Sequence, residues 1–203
     1  MHEFLTFLLD DDIMPINSEQ LSLNKGDRLQ LEDAVSNSRY VFGISEGIIA
    51  LQQDESILDF STENHFIGLY TDMESRIYGK ILSETATVWR FDLRDILAKI
   101  SLTRNGFLLY NKHAMSVHDS LIKKISIMKL NNPNKLILSL RSLASRFGEP
   151  STDKEARRLP LCFTKTILSN YTGIKSSSLT HVLNKLHDEG KIMYSRRVIL
   201  VYI

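Results

Sequence analysis

The chain has 203 residues, 43% hydrophobic and 24% charged, with one cysteine and a net charge of +1. That length allows one large domain or two small ones, each with its own core, and no apolar run is long enough to span a bilayer. A single thiol excludes an internal disulfide and cannot alone hold an iron–sulfur cluster or a thiolate zinc site.

The opening stretch, MHEFLTFLLDDD, has a short apolar patch but no basic n-region and no small-residue cleavage site. No signal peptide is expected, and a cytoplasmic location follows. Residues 1–20 read as a short helix and a lead-in segment, with Asp10-Asp11-Asp12 capping a helix end or solvated. From Leu21 to Phe91, short apolar runs are separated by turn signals. LSLNKGDRLQL alternates about Lys25-Gly26-Asp27. Runs at Tyr40–Ile44 and Gly47–Leu51 follow, split by Ser45-Glu46-Gly47. SILDFS, HFIGLY, YGKILSE and ATVWRFDL come after them at short intervals. Many short strands at regular spacing predict a β-sandwich or barrel-like roll. Tyr78, Trp89 and Phe91 fall in strand-like runs and read as core.

Residues 92–130 change character. Phe107, Tyr110, Ala114, Val117, Leu121, Ile125 and Met128 recur at steps of three and four, one stripe of a helix. The helix is predicted from about Thr103 to Lys129, near 40 Å at the usual rise. Such a stripe packs either on a copy of itself or on the chain's own roll, and dimerisation is the favoured reading. Asn131-Asn132-Pro133 ends it. NKLILSLRSLASRF then forms a second helix, closed by Gly148 and Pro150, and STDKEARRLP reads as a polar connector.

The charge is uneven: residues 1–130 carry 13 Lys+Arg against 19 Asp+Glu, and residues 131–203 carry 12 against 5. A basic C-terminal third suggests a polyanion-binding end, the alternative being a chance clustering of solvated charges. Within it, Thr164 is positioned to cap a short helix that buries Ile167, Leu168 and Tyr171. Gly173 falls where a tight helix–helix turn needs positive φ. Ser176 to Ser178 can cap a second helix whose apolar face is Leu179, Val182, Leu183 and Leu186. Gly190 ends it, and IMYSRRVILVY has strand–turn–strand character about Ser195-Arg196. Helix, turn, helix and hairpin make a winged helix-turn-helix, whose second helix enters the major groove of double-stranded DNA. Its exposed face would carry Lys175, Ser176, Ser177, Thr180, His181 and Lys185, flanked by Lys165, Arg196 and Arg197.

These residues bring a family into view. Phe163–Tyr202 resembles, without gaps, the C-terminal domain of the CRP/FNR regulators, through Thr164-Lys165, Tyr171-Thr172-Gly173 and the spacing Leu179, Val182, Leu183, Leu186. NNPNKLILSLRSLASRFGEP is similar to that family's helix before the DNA-binding domain. LNKGD, YVFGISEG and HFIGLY resemble its β-roll turns, with Gly26, Gly47 and Gly68 in register. The fold implied is α+β: a jelly-roll-like, cyclic-nucleotide-binding-domain-like roll over 1–102, a long dimerisation helix over 103–130 and a winged helix-turn-helix over 131–203. The function implied is a homodimeric DNA-binding regulator, not an enzyme, with a roughly palindromic site, an unidentified effector and RNA polymerase as a further candidate partner. The roll would act through a hinge near Asn131–Asn134.

Two departures matter. Cyclic-AMP-binding members hold Gly-Glu and then Arg-Ser or Arg-Thr in a phosphate cassette, whereas here Gly68 precedes Leu69 and Tyr70. The Arg-Ser place falls near Ile77-Tyr78, with Ser75 and Arg76 in the reverse order, so independence of cyclic AMP is expected. The catabolite activator reads bases with Arg-Glu and an Arg four residues on, and the matching positions here are Ser176, Ser177 and His181. A different operator is implied, read by those three, with Thr164, Lys165, Lys175, Ser178, Lys185, Arg196 and Arg197 on the backbone.

No cofactor or metal is expected. The six histidines lack four-residue spacing: His113 and His118 are five apart, His181 and His187 six. They read as surface or groove-facing, and Cys162 reads as a buried small hydrophobe. No nucleophile motif, phosphate-binding glycine loop or paired catalytic carboxylate stands out. The rival function is a ligand- or protein-binding module whose winged helix no longer reads DNA.

Overall fold

The period-two runs of the N-terminal half become strands in a computed structural model, which describes residues 3–33, 38–69, 76–195 and 198–202. The chain divides into two units, Met1–His118 and Asp119–Ile203. The first opens with helix α1 (Glu3–Leu9), followed by β1 (Ser18–Asn24), β2 (Arg28–Gln30), β3 (Glu32–Asp33), β4 (Ser38–Glu46) and β5 (Ile49–Gln53). Strands β6 (Ser56–Ser61), β7 (Phe66–Ile67), β8 (Ile77–Ile81) and β9 (Thr85–Asp92) complete it. One antiparallel sheet has the order β1-β9-β4-β3 with β7 also on β4, and the other has β2-β8-β5-β6.

Alternation explains the layers. Phe42, Ile44 and Val88 from the first sheet meet Leu29, Ile49, Leu51 and Ile81 from the second in one apolar core. A second cluster joins Val41, Phe66, Leu69 and Phe91 to Phe4 and Phe7 of α1 and to Ile96 and Ile100 of helix α2 (Leu93–Ser101). Helix α2 starts on Asp92, whose carboxylate accepts from Arg94 N. From α2, Lys99 is fully buried and donates its ammonium protons to the carbonyls of Leu8 and Asp10. It thereby satisfies acceptors at the C-terminal end of α1 that no intrahelical N–H reaches. Burial pushes the Lys99 ammonium below the usual lysine range, against the opposing pull of Asp10 and Asp11. The aspartate run thus ends a helix, with Asp12 N donating to Asp10 Oδ1 at 3.0 Å.

Helix α3 (Arg104–Met128) begins beside Thr103, whose hydroxyl accepts from Gly106 N. Its buried residues are Gly106, Leu109 and His113. A Cβ at Gly106 would lie 2.5 Å from the Phe7 ring, so a larger residue there would displace that ring. His113 is packed between aromatic rings, its own ring 5.5 Å from Phe66 and 6.4 Å from Phe4. This corrects the expectation that the histidines are superficial.

In the second unit, helix α4 (Asn132–Phe147) is capped by Asn131 and ends at Gly148. Short strands β10 (Glu149–Pro150) and β11 (Ala156–Arg158) follow, then α5 (Lys165–Thr172), α6 (Ser176–Asp188), β12 (Ile192–Tyr194) and β13 (Ile199–Tyr202). The sheet order is β10-β11-β13-β12, all antiparallel. Residues 151–160 are therefore not merely a polar connector: Ala156–Arg158 gains strand structure by pairing with Leu200–Tyr202. Leu136, Leu140 and Leu143 are buried on α4, which packs on α5 and α6. Among the described residues no helix is long and apolar enough to cross a membrane.

Candidate nucleic-acid interface

The helix pair α5–α6 is built from local signals. Thr164 Oγ1 accepts from Ile167 N and opens α5. Leu168 and Tyr171 are buried as the sequence predicts, and Ile167 is half-buried. Gly173 takes φ 68°, the left-handed conformation that ends α5 and turns the chain, and its N–H donates to Ser169 O at 2.8 Å. The turn is held further by Ser169 Oγ donating to Ile174 O and Thr172 Oγ1 donating to Leu168 O. Helix α6 then buries Leu179, Val182, Leu183 and Leu186, the four predicted.

The start of α6 differs from expectation. Its cap is Lys175, with no side-chain capping bond, and Ser176 already lies inside the helix. Ser176, Ser177 and Ser178 are exposed, as are Lys175, His181 and Lys185. Three exposed hydroxyls thus sit in a helix turn whose N–H groups have no side-chain cap, chemistry suited to phosphate oxygens and base edges. Thr180 is half-buried, and its hydroxyl donates to Ser176 O at 3.4 Å. Asn184 is exposed and lies seven residues after Ser177 and three after His181, on the same face. Sequence reading misses it, although its spacing is visible and its amide matches the adenine edge.

The basic residues differ in their commitments. Lys165 donates to Thr180 Oγ1 at 3.4 Å and stands 5.6 Å from the Tyr194 ring, so it joins α5, α6 and β12 while remaining exposed. Lys185 lies 3.9 Å from Glu189, which Lys191 engages more closely at 2.7 Å. That hydrogen bond holds the Glu189 carboxyl below its ordinary range. His187 accepts from Tyr194 N at 3.4 Å and ties the end of α6 to the hairpin. The hairpin closes through Ser195 N donating to Val198 O. Arg196 and Arg197, the predicted wing cations, lie outside the described residues. Cys162 is half-buried rather than buried.

The long helix sorts its stripe into two sides. Phe107, Ala114, Leu121 and Ile125 are exposed, whereas Tyr110, Val117 and Met128 are half-buried. Leu108, Met115 and Ile122 add to the exposed apolar face. Near the end of α3, Lys124 lies 4.3 Å from the ring of Tyr171 on α5.

In the roll, Gly68 takes φ 96°, and a Cβ there would stand 2.3 Å from Tyr40 O. The next residue, Leu69, where a cyclic-nucleotide cassette has Glu, is buried in the apolar cluster with Phe4 and Phe66. Ile77 and Tyr78 are half-buried, and the Tyr78 hydroxyl donates to Gln52 Oε1 at 3.0 Å. Tyr70 and Ser75 lie outside the described residues. Among the described residues no three His, Cys, Asp or Glu side chains converge on a point that could hold a metal.

A two-sheet roll, a long helix and a winged helix-turn-helix define the architecture of the CRP/FNR regulators, and solved structures of that kind share this fold over nearly the whole chain. A cyclic nucleotide-binding domain containing protein from Listeria monocytogenes EGD-e matches with TM-score 0.78 at 15% identity, over 98% of this chain and 95% of that one. FixK2 from Bradyrhizobium japonicum matches with TM-score 0.74 at 13% identity, over 92% and 93%. A CRP/FNR-family transcriptional regulator from Thermus thermophilus matches with TM-score 0.69 at 15% identity, over 91% and 94%. No protein-family profile and no curated protein sequence matches the chain.

Proposed function

We propose that the chain is a DNA-binding transcription regulator that acts as a homodimer on a roughly palindromic operator and does not depend on cyclic AMP. The observation that carries this reading is the exposed face of α6. Small hydroxyls, His181, Asn184, Lys175 and Lys185 stand on one side of a helix held firmly by Leu179, Val182, Leu183 and Leu186. Ser176, Ser177, His181 and Asn184 read base edges, while Lys175, Lys185 and the helix N-terminus meet phosphates. Arg196 and Arg197 would join from the wing, as Thr164, Lys165 and Ser178 would from the helices. Two copies joined along α3 present two such helices to half-sites about 34 Å apart. Independence of cyclic AMP follows from Leu69, an apolar core residue where a ribose-accepting carboxylate would be needed. RNA polymerase is the further partner this role calls for.

The test is selection of random and genomic DNA fragments by the purified chain, with and without cyclic AMP. Enrichment of the same two-fold motif under both conditions is expected. A motif seen only with the nucleotide would overturn the reading of the roll, and enrichment of none would favour an interaction module.

A further inference from the structure

The outward face of α3 is apolar along both edges, and its middle row is polar at Asn111 and His118 and apolar at Ile125. Phe107, Ala114 and Leu121 repeat every seven residues on one edge, and Leu108, Met115 and Ile122 on the other. Between them run Asn111, His118 and Ile125, also seven apart, and all nine are exposed. This face points away from the buried Gly106, Leu109 and His113. A seven-residue period keeps one side of a helix turned toward a partner helix of the same period, and a self-complementary face fits a second copy.

Resting on the homodimer reading, we propose that Asn111 and His118 determine how two copies of α3 pair: parallel and in register, each residue against its own counterpart across the two-fold axis. A carboxamide both donates and accepts, and so does a neutral imidazole, so each can satisfy its twin. Every apolar position then meets an apolar position. A slip of one heptad sets His118 against Ile125 and leaves a polar group buried without a partner. Antiparallel pairing about the midpoint of 111 and 118 also matches polar to polar, but it sends the two recognition helices to opposite ends. The two polar residues therefore give the interface its register at a cost in tightness, the role polar seam residues serve in paired helices.

The experiment uses the full chain with Cys162→Ser and then Asn111→Cys or His118→Cys, oxidised mildly and resolved without reductant. A covalent dimer from each variant alone is expected, because symmetric cysteines on the seam come within disulfide reach. Cross-linking only when the two variants are mixed would overturn the proposal in favour of antiparallel pairing. A chain that sediments as a dimer yet cross-links under neither condition would overturn the register claim alone. A chain that stays monomeric at all concentrations would remove the homodimer reading itself. In parallel, Asn111→Leu with His118→Leu should tighten self-association by about tenfold or more and replace the single dimer with mixed stoichiometries. Unchanged affinity and stoichiometry would overturn the proposal.

Discussion

Gly68 and Lys99 of the roll contrast with Gly173 and the first-turn serines of α6 in the helix-turn-helix. In the roll, special residues are packed in: Gly68 is walled by the Tyr40 carbonyl, Lys99 is buried at the end of α1, and Leu69 lies within the core. In the helix-turn-helix they face out: nothing lies within 4 Å of the position a Cβ would take at Gly173, and Ser176, Ser177 and Ser178 are exposed. A sheet unit built from distant pairings tolerates little change at its close approaches. A helix pair built from caps and turns leaves its polar side exposed.

The contrast can be broken at four places. Gly68→Ala adds a clash with backbone to an unfavourable φ and should destabilise by about 3 kcal/mol or more in chemical denaturation; a loss similar to that at Gly173 would erase the distinction. Lys99→Met should cost about 1–3 kcal/mol by leaving the Leu8 and Asp10 carbonyls without their donor, read as a lower melting temperature with faster hydrogen exchange in α1. Gly173→Ala has room and pays only for its positive φ, about 1 kcal/mol, so the same melt should shift less. His181→Ala should leave the melt unchanged and relax preference at one base pair of the operator by about 1 kcal/mol, near fivefold. A uniform loss across all sequences would make His181 a phosphate contact instead.

The strands were legible because period-two runs end at Gly-marked turns, and α5 and α6 because Thr164, Gly173 and Gly190 punctuate them. Hairpin β10–β11 was not legible, since DKEARR shows no alternation and becomes strand only by pairing with β13. The outward face of α3 was half visible. The apolar stripe merges exposed Phe107 and Leu121 with half-buried Tyr110 and Val117, because the inward side is marked by Gly106 and His113, which no hydrophobic period detects. Lys99 looks like a surface lysine in the sequence because its partners are backbone carbonyls 91 and 89 residues away. At the candidate interface, the hydroxyls and lysines of α6 are legible as exposed, while Asn184 escapes notice because family resemblance singles out other positions.

DNA binding through α6 is tested most directly by equilibrium binding of a selected operator across a range of salt concentrations, for the natural chain and for Lys175→Ala and Lys185→Ala. A steep inverse dependence on salt is expected, at about −0.9 per neutralised phosphate, with a slope shallower by about one for each lysine removed, in each half of a dimer. Binding that is indifferent to salt, or slopes unchanged by either substitution, would contradict it.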